Sequence, residues 1–228
     1  MKNQFTLLLI ALLFSACIKE AGTKTPLITV DPIPPKIISS DTLNSGGQWG
    51  LTVGQSASAL YSRIQEIKIE RHIGNLSIVG NVFTSLETLK DKLPLYTSIY
   101  LDETLGTGTG IQIYFEDDKV KSVWTNDGVG LKRWPLINGA SASVTVGDPI
   151  GGVYQKLVNI KKQAAYVNKF ERISIFNKDI NKVYDPSMSA SRQWYFVSVI
   201  DDQRYNMVSL NFSAGNLVSI YSTIYEYK

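Results

Sequence analysis

Cysteine and histidine are nearly absent: Cys17 and His72 are single instances in 228 residues. One cysteine excludes a disulfide within the chain. The pair also excludes a Cys/His zinc centre, which takes about four such ligands, or three plus water. Lysine and arginine never run more than two in a row, and the net charge is only +3. A nucleic-acid binder gathers basic residues onto one face, so nucleic acid is not an expected partner. Long apolar runs are also missing. The longest, Phe5–Phe14, falls short of the ~20 residues a membrane-spanning helix needs.

Sequence signatures of catalysis are equally thin. A lone histidine needs a nucleophile and an orienting acid to act as a general base. The chain has no Gly-x-Ser-x-Gly elbow, and "GASAS" at Gly139–Ser143 lacks the second glycine. "EDD" at Glu116–Asp118 reads as an acidic hairpin tip rather than a metal site. "GTGTG" at Gly106–Gly110 leads into a strand, whereas a phosphate loop leads into a helix, so it reads as a flexible loop. The expectation is no catalytic residue, no metal and no cofactor. A hydrolase using two carboxylates stands as the enzyme alternative, with no pair singled out.

What is present begins at the N-terminus. "MKNQFTLLLIALLFSAC" has Lys2, a short apolar run and small residues before Cys17, which reads as a secretory signal over residues 1–16. "LFSAC" resembles the lipobox of bacterial lipoproteins, which implies lipidation of Cys17 and a membrane anchor. Removing residues 1–16 takes away Lys2 alone, so +3 becomes +2. The expected place is the cell envelope, as an outer-membrane lipoprotein facing the periplasm or the surface. Residues 17–48 hold Pro26, Pro32, Pro34 and Pro35 among Ser, Thr and Gly, and read as an extended tether. A strand around Lys36–Ser39 is the alternative there.

Beyond the tether the chain repeats itself. "LTVGQSASALYSRI" (Leu51–Ile64) returns as "VTVGDPIGGVYQKL" (Val144–Leu157) at an offset of 93, and "IQIYFEDDKVKSVW" (Ile111–Trp124) returns as "VSLNFSAGNLVSIY" (Val208–Tyr221) at 97. Two echoes in order point to a duplication, with repeats at 49–135 and 136–228. Each first block opens a helix, at Gln55 or Ser56 in one copy and with Asp148 capping and Pro149 starting the other. Leu60, Ile64 and Ile67 make an amphipathic stripe. Second helices are expected at Ser85–Leu93 and Lys178–Tyr184, stopped by Pro94 and Pro186. Each last block is a hairpin, preceded by a strand at Tyr96–Asp102 or Trp194–Asp201. The expected fold class is α+β: two tandem repeats, each helix-helix followed by a three- or four-stranded antiparallel sheet. The middle segment Lys68–Gly80 departs from a helix-loop-helix, and "ERHIGNLSIVG" within it suits an extra strand.

This order resembles the β-lactamase-inhibitor-protein fold and the small outer-membrane assembly lipoproteins that share it, over Trp49–Lys228. The resemblance implies protein binding through a sheet face, without chemistry; no functional residue carries over. The aromatic residues supply the binding candidates: Tyr114, Trp124, Trp194 and Tyr221, as rings on an uncovered sheet face. The leading expectation is a protein partner in the envelope. A glycan stacked on the same rings is the alternative.

Overall fold

Alternation of apolar and polar residues along "IQIYFE" and "SLNFS" demands strands with one buried face, and strands dominate the structure. The computed structural model describes residues 34–136 and 139–227. The signal segment, Cys17 and the tether up to residue 33 lie outside the described residues. The strands, numbered along the chain, are β1 (Lys36–Leu43), β2 (Gly47–Gln48), β3 (Leu51–Thr52), β4 (Ile73–Val79), β5 (Val82–Phe83), β6 (Ser98–Asp102), β7 (Ile111–Glu116) and β8 (Lys119–Thr125). There follow β9 (Gly130–Leu131), β10 (Arg133–Trp134), β11 (Val144–Thr145), β12 (Arg172–Ser174), β13 (Asn177–Lys178), β14 (Gln193–Val199), β15 (Arg204–Ser213) and β16 (Asn216–Glu226). The α-helices among the described residues are α1 (Ala57–Ile67) and α2 (Ile150–Lys161). Residues from Pro34 onward form one compact unit.

Two six-stranded antiparallel sheets organise this unit, ordered β1-β16-β15-β14-β4-β13 and β5-β12-β6-β7-β8-β9. The expected tandem α+β repeats are therefore corrected: the chain is mostly strand, and neither half builds a sheet alone. β4 belongs to the first half, yet it pairs with β14 of the second. β12 belongs to the second half and pairs with β6 of the first. Only Gly80-Asn81 separates β4 from β5, and only Ile175-Phe176 separates β12 from β13. These two strand pairs run antiparallel and cross between the sheets. At the crossing the Ile78 N–H donates to the Phe176 carbonyl (2.9 Å) and the Ile175 N–H to the Asn81 carbonyl (3.2 Å).

The helices are exchanged in the same way. The Gly54 and Ala57 amides donate to the carbonyls of Leu217 and Gly215, in the second half's hairpin. At the echoed positions, the Gly147 and Ile150 amides donate to Val120 and Asp118 in the first half's hairpin. The offsets of 93 and 97 thus reappear as matching hydrogen bonds, made across the halves rather than within each. Both hairpins turn through two residues of positive φ: Asp117 (51°) and Asp118 (57°), Ala214 (48°) and Gly215 (75°). Paired positive φ values match the right-handed twist of the flanking strands.

The expected second helices are not α-helical, which is part of the same correction. Leu86–Leu89 and Leu93–Leu95 are single 3₁₀ turns. Pro94 disfavours the α conformation at Leu93 and donates no N–H, although Leu86, Leu89 and Leu93 are still buried. At 178–184, Lys178 is drawn into β13 against Leu76. The following carbonyls are claimed by α1: Tyr61 Oη donates to Asp179 and Lys182, and Gln65 Nε2 to Ile180 and Lys182. Backbone acceptors already satisfied from outside have no need of a helical ladder. The segment at 70–80 contains β4, the extra strand that its sequence suits. Within the stretch read as tether (17–48), Lys36–Leu43 is β1, paired with β16 along Lys36–Glu226 to Leu43–Ile220, and Gly47–Gln48 is β2.

One core lies between helices and sheets. α1 contributes Leu60, Tyr61, Ile64 and Ile67, and α2 contributes Val153, Leu157 and Ile160. The sheets answer with alternate residues such as Ile113, Phe115, Trp194, Leu210 and Phe212. Full burial of each such side chain contributes about 1.5–3 kcal/mol.

Candidate binding face

Strand alternation sends every second residue away from the helices, so each sheet keeps an outward face. In the second sheet Ile99, Leu101, Ile111, Ile113 and Val123 point inward and are buried. Tyr100, Gln112, Tyr114, Ser122 and Trp124 point outward. A register shift between Tyr114 and Phe115 keeps Phe115 opposite Val120 on the core side. The first sheet repeats the device: the shift falls between Asn211 and Phe212, and Phe212 faces Leu217. Tyr195, Ser209, Asn211 and Tyr221 are its outward residues.

Three of the four sequence candidates lie on this face. Trp124 and Tyr221 are each 42% exposed. They occupy matching places, Trp124 opposite Gln112 and Tyr221 opposite Ser209. A Cβ at Gly130 would lie 3.1 Å from the Trp124 ring, so the glycine lets that ring lie flat on the neighbouring strand. Tyr114 is half-buried and meets Tyr100 edge-on at 6.0 Å, with the two hydroxyls 3.2 Å apart. Burial first, and the Tyr100 hydroxyl second, push the Tyr114 phenol well above its ordinary range. Trp194 does not belong to the face. It is 0% exposed, its Nε1 donates to the Met188 carbonyl, and its ring packs on Phe212. In "WYF" the alternation runs in-out-in, so Tyr195 is the ring that faces outward.

The face is continuous across the sheets. Tyr195 contacts Phe176 at 5.7 Å between ring centroids. Phe176, Val79, Ser174 and Tyr100 line one cavity of about 640 Å³ at the strand crossing. Tyr114 and Trp124 line a shallower one beside it, about 460 Å³. A polar network stiffens this side. Tyr114 Oη donates to Gln112, Gln112 Nε2 to Asn126, and Asn126 Nδ2 to Asp102. The Asp102 carboxylate also accepts the Glu103, Gly106 and Thr107 amides. The Gly106–Gly110 loop is thus folded around a carboxylate of its own chain.

Between the turns this face is nearly free of charge. Asp102 is buried and satisfied, and Arg172 has no ion pair among the described residues. Sequence reading missed Tyr100, Tyr195, Phe176 and Arg172. The first two follow from alternation once a neighbouring core residue is fixed. The last two depend on the strand crossing, which has no local signal.

The remaining candidates for chemistry have structural explanations. His72 is exposed in a left-handed turn with φ of 51°. Glu116 pairs with Lys121, and Asp118 with Lys182 at 2.9 Å. No cluster of three metal-ligating side chains occurs among the described residues. Lys178 is the unusual group. It is 0% exposed, donates to the Asp179 carbonyl at 2.7 Å, and sits over the rings of Tyr61 and Tyr96 at 5.1 and 5.9 Å. Burial pushes its pKa down to about 8, with Asp179 and Asp185 opposing. Asp185 accepts from Lys92, Tyr96 and Ser187. Burial pushes the Asp185 pKa up, but the bonds from Lys92, Ser187 and Tyr96 outweigh it and hold the carboxyl below its usual range. The cluster ties α1 to the crossing and lies on the core side, opposite the open face.

No family model matches the chain, and neither a curated protein nor a solved structure does.

Proposed function

We propose that the chain is a membrane-anchored envelope lipoprotein that binds another protein through the outward sheet face, without catalysis. The supporting observation is the face's make-up: rings at Trp124, Tyr221, Tyr195 and Tyr100 among Ser, Asn and Gln, with charge almost absent. Interface centres are depleted of charge and enriched in aromatic residues. Tyr with Ser and Asn is also the chemistry of adaptable paratopes, because a tyrosine offers contact area at little entropy cost. Cys17 and the lipobox resemblance support the anchor.

Affinity capture from envelope extract tests this, with the chain compared to a Trp124→Ala/Tyr221→Ala/Tyr195→Ala variant. These outward rings can be removed without opening the core. One protein retained by the parent and lost by the variant supports the reading. Equal retention by both, or none by either, refutes it. A glycan panel is run in parallel, because exposed rings beside the Gln112 and Asn126 amides also suit sugar hydroxyls. Retention there alone selects the glycan reading.

A further inference from the structure

The duplication provides an internal control for the face. Ser77 of β4 lies between Asn177 and Tyr195, and Ser174 of β12 lies between Val82 and Tyr100. These are matching positions, each a serine beside a tyrosine at the strand crossing. Ser77 Oγ donates to Asn177 Oδ1 at 3.1 Å. Ser174 has valine in place of that asparagine, and its buried Oγ has no partner among the described residues. Two residues before each serine, on the same side, stand Asn75 and Arg172. One copy is thus neutral and internally satisfied. In the other, Arg172, which has no ion pair among the described residues, and Ser174 both line a cavity of about 640 Å³.

We infer that this cavity is a subsite for a carboxylate, supplied by an acidic side chain of the protein partner. This rests on the protein-binding reading of the face. Arg172 presents a planar fork of donors that a carboxylate meets with two oxygens. Ser174 Oγ–H, on the same side of β12, donates to the carboxylate as well, which removes the cost of an unsatisfied buried hydroxyl. Asp102 is the register neighbour of Arg172, but its oxygens are already held by three backbone amides and Asn126. Its negative charge disfavours a dianion such as phosphate more than a monoanion. The mouth is apolar, with Leu105 79% and Val82 41% exposed. The occupant is therefore an Asp or Glu flanked by apolar residues.

The test follows the Arg172 Nε–Hε resonance of the full-length chain by NMR, assigned with Arg172→Gln. The probes are N-acetyl-glutamyl amide, its glutaminyl isostere and D-glucuronate. The expected result is a saturable shift with the glutamyl probe and at least about tenfold weaker binding of the isostere, the scale of one charge-assisted contact. Ser174→Ala should weaken the glutamyl probe several-fold while leaving the spectrum of the fold intact. Equal titration by the glutamyl and glutaminyl probes, or no saturable shift at Arg172, overturns the subsite. Tighter binding of glucuronate than of the glutamyl probe overturns the protein source of the carboxylate. These outcomes are independent of partner capture: a face that captures a protein but shows no carboxylate effect refutes the subsite alone.

Discussion

Replacing Lys178 by methionine removes a buried ammonium and keeps the length of the side chain. The lysine has an ordinary pKa of 10.5 in the unfolded chain and about 8 when folded. Between those values the unfolded chain holds a proton that the folded chain has released. Stability therefore rises with pH across that window, by about 1.4 kcal/mol per unit. Integrated from pH 7 to pH 9.5, a shift from 10.5 to about 8 gives the wild type a gain of about 2 kcal/mol that the methionine variant lacks. Tyr61 and Tyr96 are held well above their ordinary range by burial, so both stay protonated in the fold and cancel between the two proteins. The Asp179 carbonyl still accepts from Tyr61, and Asp185 keeps Lys92, so the substitution orphans neither. The assay is urea unfolding of both proteins at the two pH values, read by tryptophan fluorescence. Parallel pH dependence in the two proteins would refute a desolvated Lys178.

Three further outcomes are expected. Ala214→Gly should stabilise by about 1 kcal/mol, because alanine is held at φ of 48° where glycine carries no Cβ penalty; an unchanged urea midpoint would count against strain there. Trp194→Ala should cost about 3–5 kcal/mol, whereas Trp124→Ala should stay within about 0.5 kcal/mol, since one ring is buried and the other outward; similar losses would contradict the assignment of faces. Cys17→Ser should move the protein from the membrane fraction to the soluble fraction and abolish labelled-fatty-acid incorporation; unchanged fractionation would refute the anchor.

The local elements were legible because their causes are local. Hairpins at 111–124 and 208–221 follow from period-two alternation around Asp and Ala-Gly turns. The start of α1 follows from Ser56, whose Oγ accepts from the Ala59 amide; α2 starts one residue later than expected, with Pro149 itself at the cap and Asp148 holding the Thr145 amide and Lys156 instead of capping. Trp194 was misplaced by a single alternation step. Its assignment to the face required knowing which of Trp194, Tyr195 and Phe196 met the helices, and three large rings in a row conceal that phase. The segments 85–93 and 178–184 look helical from their apolar spacing. At 85–93 the spacing is real, since Leu86 and Leu89 are buried, but 3₁₀ turns bury them instead; of the apolar pair at 178–184 only Ile180 is buried, and Val183 is 71% exposed. Arg172 and Phe176 became visible only with the crossing, because their neighbours Asp102 and Tyr195 are 70 and 19 residues away in sequence.

The crossing makes a strong statement about what folds alone. If each repeat were self-sufficient, residues 49–135 would be a domain. In the structure that stretch holds β6, β7 and β8 but lacks β12, the strand that β6 pairs with on its other side, and α2, which starts at the β7–β8 hairpin. Its own α1 and β4 belong to the other sheet. Residues 80–176, in contrast, contain all of β5, β12, β6, β7, β8 and β9, together with α2. The remaining sheet is closed only by joining 36–79 to 177–226, the two ends of the described chain. The fragment 80–176 should therefore unfold cooperatively in urea, and 49–135 should not, although the two are of similar length. The sign of this comparison depends on the exchange of β12 and α2, because the fragments share β5 through β9. Cooperative unfolding of 49–135 would show that the first repeat is self-sufficient and would overturn the exchanged arrangement.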